Sequence, residues 1–160
     1  MVGLPGSGKS TWIKENIFDQ SIKILSTDDI IQEYADKYGM TYNECFEDCI
    51  GEATKKFFVS IKESVENNQS MVIDRTNLSK KSRKKILDMI PDSYIKVCVY
   101  VTCENDICHG YRLQNRPGKT IPEHIVKNMA KSFEIPTIDE GFKSIVHIET
   151  SPHLEEEEIY

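Results

Sequence analysis

Residues 3–10 read Gly-Leu-Pro-Gly-Ser-Gly-Lys-Ser, the spacing G-x-x-x-x-G-K-S without a mismatch. No other stretch limits the possible folds so sharply. Glycines at these places let the backbone curl until several N–H groups face one anion. A helix-like run, TWIKENIF, follows at once and would add its positive end to the same anion. On this pattern Gly6, Ser7 and Gly8 line a nucleotide's phosphates. Lys9 reaches the β- and γ-phosphates, the Ser10 hydroxyl ligates Mg²⁺, and Thr11 supports the α-phosphate side. Such a loop hangs from the end of a buried strand, yet only Met1 and Val2 precede Gly3 here. These two residues read as the end of a central strand. Either further residues belong upstream, or the first strand is unusually short and leaves a weak point beneath the loop.

The rest of the chain alternates strand-like and helix-like segments. Apolar, β-branched runs at 23–26, 70–74, 96–102 and 144–149 predict strands buried on both faces of a parallel sheet. Helices are expected over 9–19, from Asp28 to about 37, over 79–90 and 104–114, and from Pro122 to before Pro136, since proline suits a first helical position. The longest follows Thr41 and Glu44, which have capping-box spacing. Its apolar stripe of Phe46, Cys49, Ile50, Ala53, Phe57, Ile61 and Val65 recurs every three or four residues and reads as core. Alternating βα units imply one α/β domain over 1–160, with about five parallel strands sandwiched by helices and a ligand at the strands' C-terminal ends. Residues 151–160 read as a polar acidic tail.

The composition, 39% hydrophobic and 29% charged over 160 residues, suits one globular domain. No apolar run approaches the roughly 20 residues that cross a bilayer, so no membrane partner is expected. There is no charged-then-apolar leader, which points to the cytoplasm. Five cysteines lack framework spacing and read as reduced thiols. Cys45 and Cys49 lie one helical turn apart, and Cys108 adjoins His109, but neither pair has the companions a zinc site needs. A net charge of −6 argues against a general nucleic-acid coat. Lys80, Lys81, Arg83, Lys84 and Lys85 form a basic run and 155–158 an acidic one. Both read first as solvated faces, although the basic run could hold the backbone phosphates of an arriving strand.

The second strand segment ends in Ser26-Thr27-Asp28-Asp29. An acid there sits beside the γ-phosphate, where a phosphoryl-transfer enzyme needs a base for the attacking hydroxyl. One acid could serve as that base and the other cap the next helix; spacing alone does not choose between them.

GLPGSGKSTW, STDD, IDRTNLS and RLQNRPGKTIPEHIVKNM, taken together, resemble the kinase domain of polynucleotide 5′-hydroxyl kinases, a group of small P-loop kinases. FEIPTIDEGFKSI resembles the closing segment of the animal members. The likeness runs to about Ile148. It implies a P-loop fold with the loop's strand in the middle and an arginine-bearing lid. It implies ATP and Mg²⁺ as cofactors and the 5′-OH of DNA or RNA as acceptor. It makes Asp28 the general base and leaves Asp29 to the acceptor pocket. It assigns Arg116 to the transition state and Arg112 to ATP. These arginines are four apart and share a face if the helix persists. Family members often form homo-oligomers.

Two positions depart from the phage-type pattern. An arginine expected three residues past the acid is Ile31, and an acid expected before Thr76-Asn77 is Arg75. One arginine is thus lost from one strand end and gained at its neighbour, so Arg75 is expected to take the acceptor's phosphate. Asp74 reads as an outer-shell Mg²⁺ partner or as a turn residue. Thr76 and Asn77 shape the acceptor pocket or hold the turn. Alternative acceptors are a hydroxymethylated base in DNA, a nucleoside or a small polyol. A non-catalytic ATP-binding module is the reading from another class.

Overall fold

The computed structural model describes residues 1–116 and 118–151, with the side chains of Ile107 and Cys108 not described. The Cys108 thiol, Pro117 and the acidic run at 155–158 therefore lie outside the described residues. Helices α1 (Lys9–Asn16), α2 (Thr27–Tyr38), α3 (Tyr42–Glu66), α4 (Lys80–Leu87), α5 (Asp106–Gln114) and α6 (Glu123–Lys131) alternate with strands β1 (Lys23–Ser26), β2 (Met71–Asp74), β3 (Val97–Cys103) and β4 (Ser144–Thr150). A 3-10 turn at Ile138–Glu140 precedes β4.

Two parallel strand pairs are present. β1 pairs with β2, from Lys23 opposite Met71 to Ser26 opposite Asp74. β3 pairs with β4, from Val97 opposite Ser144 to Cys103 opposite Thr150. The short segment Met1–Gly3 joins them. Its Met1 nitrogen donates to the Ile73 carbonyl at 2.9 Å and the Gly3 N–H to the Thr76 carbonyl at 3.0 Å. On its other side the Val2 N–H donates to Val99 at 2.9 Å, and the Val101 N–H donates back to Val2 at 2.8 Å. The order is β1, β2, the 1–3 segment, β3, β4, all parallel. The phosphate loop's own segment is central, as the sequence requires, but it contributes a single bridge, Val2 to Tyr100, instead of a fifth full strand.

Side chains explain the helix limits. Ser26 caps α2, its Oγ accepting from the Asp29 N–H at 3.2 Å, so neither acid of the pair is the cap. Gly39 closes α2 in the left-handed region. Thr41 and Glu44 form the expected capping box of α3, with the Thr41 N–H on Glu44 at 2.8 Å and the Glu44 N–H on Thr41 at 3.3 Å. Helix α1 is shorter than predicted: Ile17 turns extended, and Asp19 instead holds a turn through Ser21 and Ile22.

Helix α3 carries two cores. Its first half packs Tyr42, Cys45 and Ala53 against Ile31 and Ala35 of α2. Its second half packs Phe57 and Ile61 against Leu25 of β1 and Ile86 of α4. Each of these large side chains contributes roughly 1.5–3 kcal/mol by leaving water. Ala53, Phe57 and Ile61 are buried as the stripe predicts, and Cys49 and Ile50 pack against the core; the first turn differs, with Phe46 39% exposed while Tyr42 and Cys45 turn inward. Among the described residues no helix is long and apolar enough to cross a membrane.

Candidate active site

The C-terminal ends of β1, the 1–3 segment, β2, β3 and β4 lie along one edge of the sheet, and the phosphate loop rises from it. Gly8 caps α1 at φ 104, a conformation that side-chain-bearing residues rarely adopt. Lys9 turns back into the loop, and its ammonium donates to the carbonyls of Gly3 at 2.9 Å and Leu4 at 2.8 Å. Its side chain is enclosed, with the residue 8% exposed. Burial pulls its pKa down to about 8, against the charge of Asp74. The buried Ser7 hydroxyl has no hydrogen-bond partner among the described residues, an orphan polar atom inside a loop built for an anion.

The Ser10 hydroxyl donates to Asp74 Oδ2 at 3.2 Å. A hydroxyl and a carboxylate, both hard oxygen donors, suit Mg²⁺, which takes few protein ligands and completes its shell with phosphates and water. Among the described residues no cluster of three His, Cys, Asp or Glu side chains offers another metal site. Cys45 and Cys49 are free thiols.

Across the edge, the Asp28 carboxylate receives the Tyr42 hydroxyl on Oδ1 at 2.9 Å and the Lys119 ammonium on Oδ2 at 3.2 Å. The Asp29 carboxyl is raised above its usual range, first by desolvation and then by the charge of Asp74. Arg75 lies over the Phe57 ring, 4.9 Å from its centre. Burial lowers its pKa, and the charge of Asp28 opposes this. Ile31, where the phage-type pattern has arginine, is fully buried in the α2–α3 core.

Thr76 and Asn77 both contribute to the turn after β2. The Thr76 carbonyl accepts from Gly3. Asn77, at φ 46, spends its side-chain N–H on the Met1 carbonyl at 3.0 Å. It is buried, so the turn reading fits it better than the acceptor pocket. The basic run also divides. Arg83 is buried in an ion pair with Glu140, and Lys84 pairs with Asp88 at 2.8 Å. Lys80 and Lys81 are exposed.

On the lid side, Arg112 Nη1 donates to Thr150 Oγ1 at 2.7 Å and reaches the Ser7 carbonyl at 3.5 Å, while Nη2 donates to the Ser151 carbonyl at 2.6 Å. Helix α5 ends at Gln114, so Arg116 does not share its face. A residue before proline is disfavoured in helical conformation. The charge of Arg116 nevertheless acts on Lys9 and Tyr42, which brings it to the same cleft. Thr11 is exposed on α1.

Sequence reasoning missed Tyr42, Lys119 and Thr150. Tyr42 and Lys119 lie 14 and 91 residues from Asp28, and no local spacing rule connects them to it.

Comparison with known proteins bears on the fold and the family. Residues 1–136 match the family described as AAA domain. The chain is 26% identical over 152 residues to the bifunctional polynucleotide phosphatase/kinase of Schizosaccharomyces pombe, covering 92% of this chain and 32% of that protein. It is 26% identical over 142 residues to the L-seryl-tRNA(Sec) kinase of Methanococcus maripaludis, covering 85% of this chain and 52% of that one. The chain thus spans about a third to a half of these curated relatives. Among solved structures, a kinase candidate from Chloroflexus aurantiacus superposes with a TM-score of 0.67 at 15% identity, over 93% of this chain and 82% of that one. A gluconokinase from Sinorhizobium meliloti gives 0.57 at 16%, over 92% and 79%; both likenesses speak to the fold. With its phosphate loop, its parallel strands and this family match, the chain belongs to the AAA domain family as a P-loop kinase domain resembling the polynucleotide kinases.

Proposed function

We propose that this domain transfers the γ-phosphate of ATP to the 5′-hydroxyl of a DNA or RNA end. The observation that carries the reading is Asp28, whose carboxylate stands on the same sheet edge as the phosphate loop and contributes to the field at Lys9. In the reaction the acceptor hydroxyl gives its proton to Asp28 while its oxygen bonds to the γ-phosphorus. The bond from that phosphorus to the bridging oxygen breaks, and ADP leaves. Lys9 and Arg116 offset the charge spread over the equatorial oxygens. Ser10 and Asp74 would hold Mg²⁺, which when bound would neutralise phosphate charge. Arg112, pinned by Thr150 against the loop, would steady the nucleotide. The names of the two curated relatives, a polynucleotide kinase and a tRNA kinase, support a nucleic-acid acceptor.

A second reading, a hydroxyl on a modified base, a nucleoside or a small polyol, draws on one observation: Ile31 is core, not a phosphate-reading arginine. The test is an acceptor panel with γ-labelled ATP and Mg²⁺: 5′-OH oligonucleotides of DNA and RNA, hydroxymethyl-base DNA, and nucleosides. Label on the oligonucleotide 5′ end is expected; label only on another acceptor would replace the leading function with the second. Asp28→Asn should lose turnover by about a hundred-fold or more yet keep ATP affinity. An ATP-binding module would show no transfer in either form.

A further inference from the structure

Three side chains from three elements close a triangle at the acceptor side. Tyr42, the first residue of α3, donates to Asp28 Oδ1 at 2.9 Å, and Lys119, beyond α5, donates to Oδ2 at 3.2 Å. The Lys119 ammonium also lies 4.3 Å from the centre of the Tyr42 ring. A main-chain-to-side-chain bond ties the same places together, from the Thr120 N–H to Asn43 Oδ1 at 3.4 Å. The lid's exit is thus docked on the start of α3 and on the acid of α2.

The two partners of Asp28 differ in kind. Tyr42 packs with Ile31, Ala35 and Cys45 in the core, so its hydroxyl cannot swing away without opening that core. Burial, then the charge of Asp28 and their hydrogen bond, push its ionisation up, with Arg116 opposing. It therefore stays a donor at working pH. The Lys119 side chain is 22% exposed and its ammonium lies in an ion pair with a half-exposed carboxylate. Asp29 of α2, Asp74 of β2, Lys9 of α1, Arg75 after β2 and Arg116 after α5 also bring charge to this corner.

We propose that Tyr42 is a positioning residue for Asp28 and that Lys119 makes this positioning depend on the lid. The proposal rests on the reading of Asp28 as the acceptor-side base. A carboxylate that must accept one proton along one direction gains from a fixed rotamer. Tyr42 pins Oδ1 from the protein interior and leaves Oδ2 facing the cleft. Lys119 steadies Oδ2 only while the 118–120 segment is docked, so lid closure and orientation of the acid become one event.

The experiment compares Tyr42→Phe, Lys119→Met, Lys119→Arg and Asp28→Asn with the unaltered domain. ADP release is followed with whichever acceptor the panel labels, or with water alone. Tyr42→Phe keeps the ring, its packing and its contact with the Lys119 ammonium. It should lower kcat about ten-fold and leave the KM for ATP unchanged. Lys119→Met should lower kcat about three- to ten-fold, and Lys119→Arg should restore most of it. The contact itself is read from ¹³Cζ-tyrosine NMR, with Tyr42 assigned by its absence in Tyr42→Phe. Asp28→Asn removes the neighbouring negative charge, so Tyr42 should ionise at lower pH than in the unaltered domain. Full turnover in Tyr42→Phe beside a dead Asp28→Asn would overturn the proposal and leave Asp28 as base. A Tyr42 titration unmoved by Asp28→Asn would overturn it as well. Full turnover in Asp28→Asn would remove the base assignment first, and the proposal with it.

Discussion

Arg83 and Glu140 are locked by two parallel hydrogen bonds, Nε to Oε2 at 2.7 Å and Nη2 to Oε1 at 2.8 Å. Arg83 Nη1 also donates to the carbonyls of Asn77 at 3.1 Å and Leu78 at 2.9 Å, so one buried side chain ties α4, the turn after β2 and the turn before β4 together. Arg83→Ala would strand the Glu140 carboxylate and should cost about 3–5 kcal/mol, measured by urea unfolding. Burial alone would raise the Glu140 pKa, but the Arg83 hydrogen bond, the Thr137 N–H and the Arg83 charge hold it below the usual value. The pair's contribution is therefore present above the unfolded glutamate value near about 4.3 and fades as pH falls through the lower folded value. Stability should accordingly drop more steeply on acidification in the unaltered domain than in Glu140→Gln.

Lys9 predicts a proton uptake. Its ammonium rests on two loop carbonyls, and burial leaves its pKa at about 8. Between that value and the unfolded one near about 10.4 the unfolded chain binds more protons, so stability rises with pH in this window. Phosphates arriving at the loop favour the charged form. At pH 8 nucleotide binding should take up about half a proton, seen as a dependence of binding heat on the buffer's ionisation enthalpy. Lys9→Met should abolish the uptake.

Gly3 predicts a steric failure at the base of the loop. At φ 153 a Cβ would stand 2.5 Å from the Val101 carbonyl oxygen and 2.7 Å from Ser7 Oγ. The first obstacle is backbone of β3 and cannot rotate away. Gly3→Ala should destabilise the domain by about 1–3 kcal/mol and weaken ATP binding together with it. Thermal unfolding and nucleotide titration check both; a loss of affinity at unchanged melting temperature would contradict the account.

Arg75 predicts acceptor discrimination. Its guanidinium is held over the Phe57 ring at 4.9 Å and the Phe58 ring at 6.0 Å, a stacked position that lysine does not reproduce. Arg75→Ala should raise the acceptor KM about ten-fold without changing that for ATP, more for oligonucleotides carrying a 3′-phosphate on the reacting nucleotide. Equal losses with and without that phosphate would remove this role. Arg75→Lys should not restore it.

The local signals were read well where the chemistry is local. The loop motif, the capping box at Thr41 and Glu44 and the four strands follow from spacing within a few residues, and all are present; α6 begins one residue past the predicted Pro122, which caps it, and ends at Lys131, short of the predicted end before Pro136. The misreadings fall where a distant segment decides. Arg83 sits in a run of lysines that reads as solvated, yet Glu140, 57 positions on, draws it inside. At the first turn of α3, Tyr42 and Cys45 pack on α2 in place of Phe46, while Ala53, Phe57 and Ile61 are buried as read. Asp28 and Asp29 both suit a cap, but Ser26 had already taken that bond.

The amino-acid sequence by itself determined where an anion cradle can form, at Gly3–Ser10, because such a cradle needs only consecutive backbone N–H groups and glycines that let them converge. It also determined which strand ends carry acids and arginines. Only the tertiary structure decided which of those side chains face one another. The corner formed by Asp28, Tyr42 and Lys119, and the placing of Arg112 on Thr150, depend on parallel strands bringing remote loops to one edge. Side-chain hydrogen bonds reach only about 3 Å, so partners that far apart in sequence meet only after the sheet has formed.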